Sequence, residues 1–230
     1  MKRDQSVEGE RQMATVVLIR AGCTDYDEQH RLIGTLDMPV NQRGLEQIRE
    51  VVRFLQERRI SLQAIFTSPD DPACGTAHAI AESQPSAKVR ELDEFRNVNQ
   101  GLWQGLTESE IVKRFPKLFR NSSRETGLAI CPPEGETLID ACQRLSNALS
   151  RAFRKHQVFA IVAPEPLATV IRCTLEQRVP RATACLCGEE KTELIQVIQS
   201  SAFDAAQFAQ GDSAITTDVI TQSVGAQENC

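Results

Sequence analysis

The residues best placed for chemistry follow an apolar run near the start of the chain. Residues 15–19 (Thr-Val-Val-Leu-Ile) have the composition of a buried strand, which opens into a glycine-containing turn that begins at Arg20. Open α/β sheets carry their sites where a strand ends in such a turn. An arginine at this point can hold an anion through charge-assisted hydrogen bonds. We therefore expect a binding site around Arg20.

Cys23 is the nucleophilic side chain of this turn. A cation at Arg20 is expected to lower the pKa of a neighbouring thiol and so favour the thiolate. The chain contains three histidines, His30, His78 and His156, and none of them is expected at this turn to act as a base. Two interpretations of Cys23 stay open, a ligand-binding or nucleophilic group and an unreactive small thiol.

The elements that position this turn alternate between strands and helices. Strands are predicted at residues 14–20, 64–67, 88–92, 158–163 and 192–198, and the main helices at residues 45–58, 73–82, 137–155 and 167–177. This alternation predicts an α/β fold, a three-layer α/β/α sandwich with a mostly parallel central sheet. We expect a polar N-terminal tail at residues 1–13, one domain at 14–204 and a loosely ordered C-terminal tail at 205–230.

Composition narrows the classes of function. The chain has 230 residues and a net charge of −5, which argues against binding to nucleic acid or to an anionic membrane. No apolar run reaches the roughly 18–20 residues that span a bilayer, and the first residues are polar, so a cytoplasmic location is expected. The spacing of the eight cysteines is not that of a disulfide framework. Cys185 and Cys187 have one residue between them, whereas the pair in a zinc knuckle has two. We assign no metal and no cofactor.

Several motifs, in order along the chain, resemble those of the histidine phosphatase (phosphoglycerate mutase-like) superfamily. Residues 18–24 (Leu-Ile-Arg-Ala-Gly-Cys-Thr) are similar to its signature Leu-Ile-Arg-His-Gly-Glu-Thr. Further similar blocks lie at residues 30–40, 65–69, 92–94, 101–107 and 133–137. The blocks that contain Trp103 and Gly135-Glu136 are specific when they occur together in this order. The resemblance implies a phosphoglycerate mutase-like fold and, for intact members, phosphatase or mutase activity.

The resemblance also assigns a role to particular positions. Arg20 matches the arginine that holds the phosphoryl group, but the position of the nucleophilic histidine is Ala21. The second phosphate-binding arginine is replaced by Pro72. Proline has no side-chain hydrogen-bond donor. The site implied by the family therefore lacks its nucleophile and one of its two clamps.

The resemblance also locates the general acid and the second histidine of the family. Glu94 matches the general acid of the family. The second histidine falls at Pro164, or at Leu167 if residues 170–172 set the register, and neither residue is a histidine. In this alignment Arg20 is a lone cation facing Glu94 and Glu165, so we expect the pocket to be closed or to have changed its ligand.

These observations favour a degenerate member of the family that lacks both catalytic histidines, a pseudoenzyme acting as a scaffold, regulatory or ligand-sensing protein. One alternative is an active phosphatase or mutase that uses displaced groups, and another is an enzyme that depends on Cys23. Residues 97–124 are the expected contact surface for a protein partner or a second copy, or else a lid over the cleft. The aromatic and apolar side chains behind this expectation are Leu102, Trp103, Phe115, Leu118 and Phe119.

Overall fold

A single sheet organises the chain in a computed structural model, which describes residues 13–117, 131–178, 191–201 and 222–223. Its strands are β1 (Met13–Arg20), β2 (Ala64–Thr67), β3 (Lys88–Glu91), β4 (Val158–Ala163), β5 (Ile195–Ser201) and β6 (Gln222–Ser223). Their order across the sheet is β3-β2-β4-β1-β5-β6. β3, β2, β4 and β1 are parallel to one another, whereas β5 is antiparallel to β1 and β6 to β5. The predicted, mostly parallel sheet is confirmed.

The helices of the described residues begin in two ways, four of them at a side-chain cap and two after a proline without one. They are α1 (Asp25–Glu28), α2 (Gln42–Glu57), α3 (Ala73–Ala81), α4 (Glu108–Arg114), α5 (Leu138–Lys155) and α6 (Leu167–Leu175). At the start of α5, Thr137 Oγ1 accepts a hydrogen bond from the Asp140 backbone N–H, and the Asp140 carboxylate accepts one from the Thr137 N–H. This reciprocal pair satisfies two backbone donors that the helix leaves free. The predicted cap at Thr137 is confirmed.

Alternation along β1 divides the core into two layers. Val16 and Leu18 pack on the face that α5 and α6 cover, while Val17 and Ile19 pack on the opposite face against α2 and α3. Successive side chains of a strand point to opposite sides of a sheet, so one apolar strand serves both layers. The predicted three-layer sandwich is confirmed.

Two loops on the α5 side of the sheet are joined by backbone packing and by one arginine. Gly101 has φ of +48°, and a Cβ there would lie 2.0 Å from the carbonyl oxygen of Pro133, so only glycine fits. The Arg144 guanidinium donates to the carbonyls of Glu94 and Asn97 and to the Glu136 carboxylate. These contacts hold the segment that follows β3 against the start of α5.

Trp103 does not belong to a contact surface. Its side chain is 1% exposed and lies in the core with α5, which corrects the prediction that it helps to bind a partner. Leu102 beside it is 48% exposed, while Leu118 and Phe119 lie outside the described residues. The remaining expectation for residues 97–124 stays a prediction.

The predicted tails fall mostly outside the described residues. Residues 1–12 are not described, and of residues 205–230 only β6 is, paired with β5. The limits of the domain, 14–204, stay a prediction. No helix in the described residues is both long enough and apolar enough to cross a membrane.

Candidate functional site

A cleft of about 300 Å³ lies at the carboxyl ends of β1 and β4. The turn after β1, the segment after β2, the segment after β4 and the first turn of α2 surround it. Its lining residues are Arg20, Ala21, Gly22, Cys23, Asp27, His30, Ile33, Arg43, Gln47, Pro72, Pro164, Glu165 and Lys191. The carboxyl ends of parallel strands are where open α/β sheets place their sites.

The structure brings together the substituted positions. Ala21, Pro72 and Pro164 line the same cleft as Arg20, although they come from three separate segments. Leu167 is fully buried in the core against α5 instead. The geometry thus selects Pro164 over Leu167 as the residue that faces the cleft after β4.

Backbone hydrogen bonds hold the turn after β1 in place. The Ala21 N–H donates to the carbonyl of Ala163 at 2.9 Å, which extends the pairing of β1 with β4 into the cleft. The Gly22 N–H donates to Thr76 Oγ1 at 3.0 Å, and the Cys23 N–H donates to Gln47 Oε1 at 2.8 Å. The turn is therefore bound to both α2 and α3, and its groups have fixed positions relative to the cleft.

Glu94 does not reach the cleft, contrary to the expectation that it faces Arg20. Its Oε1 accepts a hydrogen bond from Arg151 of α5 at 2.5 Å, and this bond holds the pKa of the Glu94 carboxyl below its ordinary value. The 3₁₀ turn Asp93–Phe95 buries Phe95 in the core and leaves Glu94 beside α5. The motif spacing along the chain gave no sign of this turn, and Glu94 was therefore expected in the cleft.

Asn97 is the residue of that segment which joins the cleft loops. Its buried amide donates to the carbonyls of Gly34 and Glu165, both at 2.8 Å, and its Oδ1 accepts from the Leu167 N–H. Asn97 therefore links the loop after β1 to the loop after β4. The sequence analysis did not single it out, because an isolated asparagine in a loop carries no signal of its own.

The cleft has two further cations that sequence reasoning missed. Arg43 and Lys191 line it together with Arg20, so the expectation of a lone cation is wrong. Arg43 comes from the first turn of α2. Lys191 lies at the cleft because β5 runs antiparallel to β1, so the residues before β5 are next to the carboxyl end of β1. Only strand direction could have indicated Lys191.

Glu165 is held by hydrogen bonds at the wall of the cleft. Its carboxylate accepts from the Thr192 N–H at 2.5 Å, from Thr169 Oγ1 at 2.8 Å and from the Thr169 N–H at 3.2 Å. Burial nevertheless raises the pKa of this carboxyl above its ordinary value of 4.5, because desolvation outweighs these hydrogen bonds and the nearby Arg20. This carboxyl is therefore protonated more readily than that of an ordinary glutamate.

The raised pKa of Glu165 predicts a pH-dependent contribution to stability. A carboxyl whose pKa is higher in the folded state stabilises the fold below its unfolded pKa, and this contribution is lost as the pH rises through the folded pKa. We expect the free energy of unfolding of the native protein, relative to Glu165→Gln, to fall as the pH rises from about 4 to about 8. Urea denaturation at both pH values measures this difference. A constant difference would contradict the raised pKa.

Cys23 has the properties of an unreactive thiol. The side chain is buried, its Sγ lies 3.5 Å from the Thr24 carbonyl, and burial raises its pKa, with the Asp27 carboxylate raising it further. Arg20 lowers the pKa of this thiol as expected, but burial and Asp27 outweigh it, so the thiolate is not favoured. Of the two interpretations, the geometry favours the unreactive thiol.

His30 lies nearer to the site than the sequence analysis expected. It is an exposed residue in the turn after α1, and it lines the cleft together with Ala21. Its φ of 54° places the backbone in the left-handed region that non-glycine residues rarely adopt. His30 is therefore the imidazole of this chain that borders the cleft.

The fold and the cleft together define an α/β sandwich protein that places a basic pocket at the carboxyl ends of its parallel strands. The sequence profile of the histidine phosphatase superfamily (branch 1) matches residues 16–191, so the chain belongs to this superfamily. The family expected from the motifs is thus confirmed.

Individual relatives agree with this assignment. The chain is 31% identical over 171 residues to phosphoglycerate mutase-like protein 4 of Arabidopsis thaliana, covering 74% of this chain and 73% of that protein. It is 28% identical over 164 residues to the bifunctional protein Rv2228c of Mycobacterium tuberculosis (strain ATCC 25618 / H37Rv), covering 70% of this chain and 44% of that protein. The match thus spans less than half the length of this mycobacterial relative.

A solved structure supports the fold independently. The structure called mycobacterial hydrolase 1 superposes with a TM-score of 0.69, covering 83% of this chain and 93% of its own. The two sequences are 21% identical in this superposition. A likeness at this level of identity concerns the architecture and leaves the activity of this chain open.

Proposed function

We propose that this chain is a non-catalytic member of the histidine phosphatase superfamily that binds a small anionic ligand in its cleft and acts as a regulatory or ligand-sensing protein. The observation that carries the proposal is Ala21, which stands where the resemblance expects the nucleophilic histidine and borders the cleft beside Arg20. A methyl group has no lone pair with which to attack phosphorus. The residues that replace the second arginine and the second histidine are prolines, Pro72 and Pro164.

The expected loss of rate is large. Removing one member of a covalent catalytic unit can cost about 10⁶ in rate, which corresponds to roughly 8 kcal/mol of barrier. Losses within one unit do not add, so the absence of all three groups leaves the rate near the same floor. Turnover by the ordinary mechanism of the family is therefore not expected.

The charges of the cleft support an anionic ligand. Arg20, Arg43 and Lys191 are its basic side chains, and none of them forms an ion pair with a carboxylate in residues 13–117, 131–178 and 191–201. Asp27 is the other carboxylate besides Glu165, and it accepts hydrogen bonds from the Thr24 N–H and hydroxyl. The balance favours an anion, in contrast to the closed or more apolar pocket expected from the sequence.

Ligand binding without turnover is the test of this proposal. We expect inorganic phosphate or phosphoglycerate, titrated into the protein in a calorimeter, to bind and to be recovered unchanged. A hydrogen bond to a charged group contributes about 1.5–3 kcal/mol, so Arg43→Ala is expected to weaken binding roughly 10- to 100-fold. The matched control is Arg49→Ala, which removes the same charge from an exposed position of α2 away from the cleft.

Two outcomes would contradict the proposal. Equal affinities of the Arg43→Ala and Arg49→Ala variants would place the anion outside the cleft. Release of phosphate from phosphoglycerate by the native protein would show catalysis.

A second candidate function rests on His30. An active phosphatase or mutase that uses displaced groups needs an imidazole near the bound anion, and His30 borders the cleft. This candidate requires turnover by the native protein that His30→Ala abolishes while circular dichroism shows an intact fold. The buried, high-pKa thiol of Cys23 gives no comparable support to an enzyme that depends on cysteine.

A further inference from the structure

Three side chains with different metal-binding atoms meet on the edge of the sheet, outside the cleft. Cys74 and His78 lie on α3, and Glu91 ends β3. Their Sγ, imidazole nitrogen and carboxylate oxygen all lie within 4.8 Å of one another. His78 Nε2 and Glu91 Oε1 are 2.8 Å apart. The sequence analysis assigned no metal, because these residues carry no ligand spacing that can be recognised along the chain.

The fold explains why the three groups converge. Positions four residues apart share one face of a helix, so Cys74 and His78 present their side chains to the same side of α3. α3 connects β2 to β3, and β3 pairs in parallel with β2 at the edge of the sheet. The helix therefore packs beside the last residue of the strand, and Glu91 meets the cysteine and the histidine there.

We propose that Cys74, His78 and Glu91 bind a zinc ion, with water as the fourth ligand. Thiolate sulfur, imidazole nitrogen and carboxylate oxygen are the three kinds of donor that Zn²⁺ takes from proteins, at about 2.0–2.3 Å. Donors on a tetrahedral ion at these bond lengths are roughly 3–4 Å apart, so the observed cluster closes around the ion with small movements of exposed side chains.

Zinc binding at this site displaces protons from its ligands. Zinc binding displaces the proton of Cys74 Sγ to solvent. The Nε2 proton that His78 donates to Glu91 is also displaced, and the ring keeps one proton on Nδ1, so that one bond from the ion to each partner replaces their hydrogen bond. Burial is the main cause that raises the pKa of the Cys74 thiol, and the carboxylates of Glu91, Asp71 and Asp70 raise it further. The negative charge of these carboxylates attracts a dication. Without the ion, the exposed His78–Glu91 pair contributes little to stability.

An ion at this position has a structural consequence. It cross-links α3 to the edge strand β3, and α3 begins directly after Pro72, a residue of the cleft. Zinc would therefore stabilise one wall of the cleft as well as the edge of the sheet. This inference does not depend on the nature of the ligand in the cleft or on the loss of catalysis.

Zinc titration of the metal-free full chain, in competition with a chromophoric chelator, tests the proposal. We expect Cys74→Ser, His78→Ala and Glu91→Gln each to weaken zinc binding by more than about 10-fold. Removing a residue that only hydrogen-bonds to a metal ligand already lowers metal affinity by about that factor. Cobalt loading should give a thiolate-to-metal charge-transfer absorption that Cys74→Ser abolishes. Cys131→Ser, another partly buried thiol, is the matched control and should change neither result.

The other thiols of the chain require one more variant. Cys185 and Cys187 are separated by one residue and can also attract zinc, so their double replacement by serine is included. We expect the double variant to retain zinc and the cobalt–thiolate absorption. Loss of both in the double variant, or unchanged affinity in the Cys74→Ser and His78→Ala variants, would overturn the proposal. Since His78 and Glu91 are exposed and Cys74 is only partly buried, circular dichroism is expected to show an intact fold.

Discussion

The native protein is expected to release no phosphate from an aryl phosphate or from phosphoglycerate faster than its Arg20→Ala variant does. The reason is that Arg20 is useful for catalysis only if a nucleophile attacks the phosphoryl group it holds, and Ala21 offers none. A complete covalent unit supplies about 10⁶ in rate over what its remnants supply. Initial rates of phosphate release at saturating substrate measure this directly, with Arg20→Ala as the reference.

A variant that restores the missing groups tests the same prediction in the opposite direction, because it should gain activity. The triple variant Ala21→His, Pro72→Arg, Pro164→His returns the family's residues to three positions that border one cleft. We expect its turnover to exceed that of the native protein by roughly 10²-fold or more, the lower range of what one positioned acid or base contributes. Circular dichroism establishes that the variant is folded.

Each outcome of this pair of assays has a distinct meaning. Native turnover well above that of Arg20→Ala would refute the loss of catalysis and favour His30 as a displaced group. A folded but silent triple variant would contradict this prediction and show that the three groups are not sufficient in a cleft that Glu94, the expected general acid, does not reach.

Trp103→Ala is expected to destabilise the protein by about 3–5 kcal/mol. The indole is 1% exposed and packs in the core with α5, so its removal leaves a large cavity. Its Nε1–H has no hydrogen-bond partner among the described residues, and Trp103→Phe should therefore cost much less than Trp103→Ala. Urea denaturation followed by far-ultraviolet circular dichroism gives both free energies of unfolding.

This pair of variants also decides between two interpretations of the aromatic segment. A contact residue on the surface would change oligomeric state or partner binding while leaving the free energy of unfolding almost unchanged. An effect of Trp103→Ala below about 1 kcal/mol would contradict the buried position.

The residues that build the sandwich in this chain mostly differ from the residues that line its cleft. The sandwich depends on the apolar strands β1 and β4 and on the helices that cover them, and none of the substituted positions belongs to those strands. Ala21, Pro72 and Pro164 follow the strand ends or precede a helix. Ala21 belongs to the core layer that α2 and α3 cover, but none of the three residues is part of the sheet. Similarity to a phosphatase therefore carries the architecture, while activity must be argued from the side chains at the strand ends.

The sequence by itself determined the elements and the location of the site after β1. The apolar runs of β1 and β4 and the cap of α5 by Thr137 and Asp140 are local properties, so hydrophobic patterning and capping rules locate them. The motif residues after β1 are also the basis of the proposal that the nucleophile is lost, because Ala21 is known from the sequence without coordinates.

The tertiary structure alone decided which side chains meet. The 3₁₀ turn after β3 directs Glu94 to Arg151 and brings Asn97 to the loops of the cleft, and no residue spacing predicts this. The antiparallel direction of β5 brings Lys191 to the cleft, and the packing of α3 beside β3 brings Glu91 to Cys74. The physical reason is common to all of these cases: local sequence sets the backbone conformation of each segment, while contacts between distant segments follow from how their buried faces pack together.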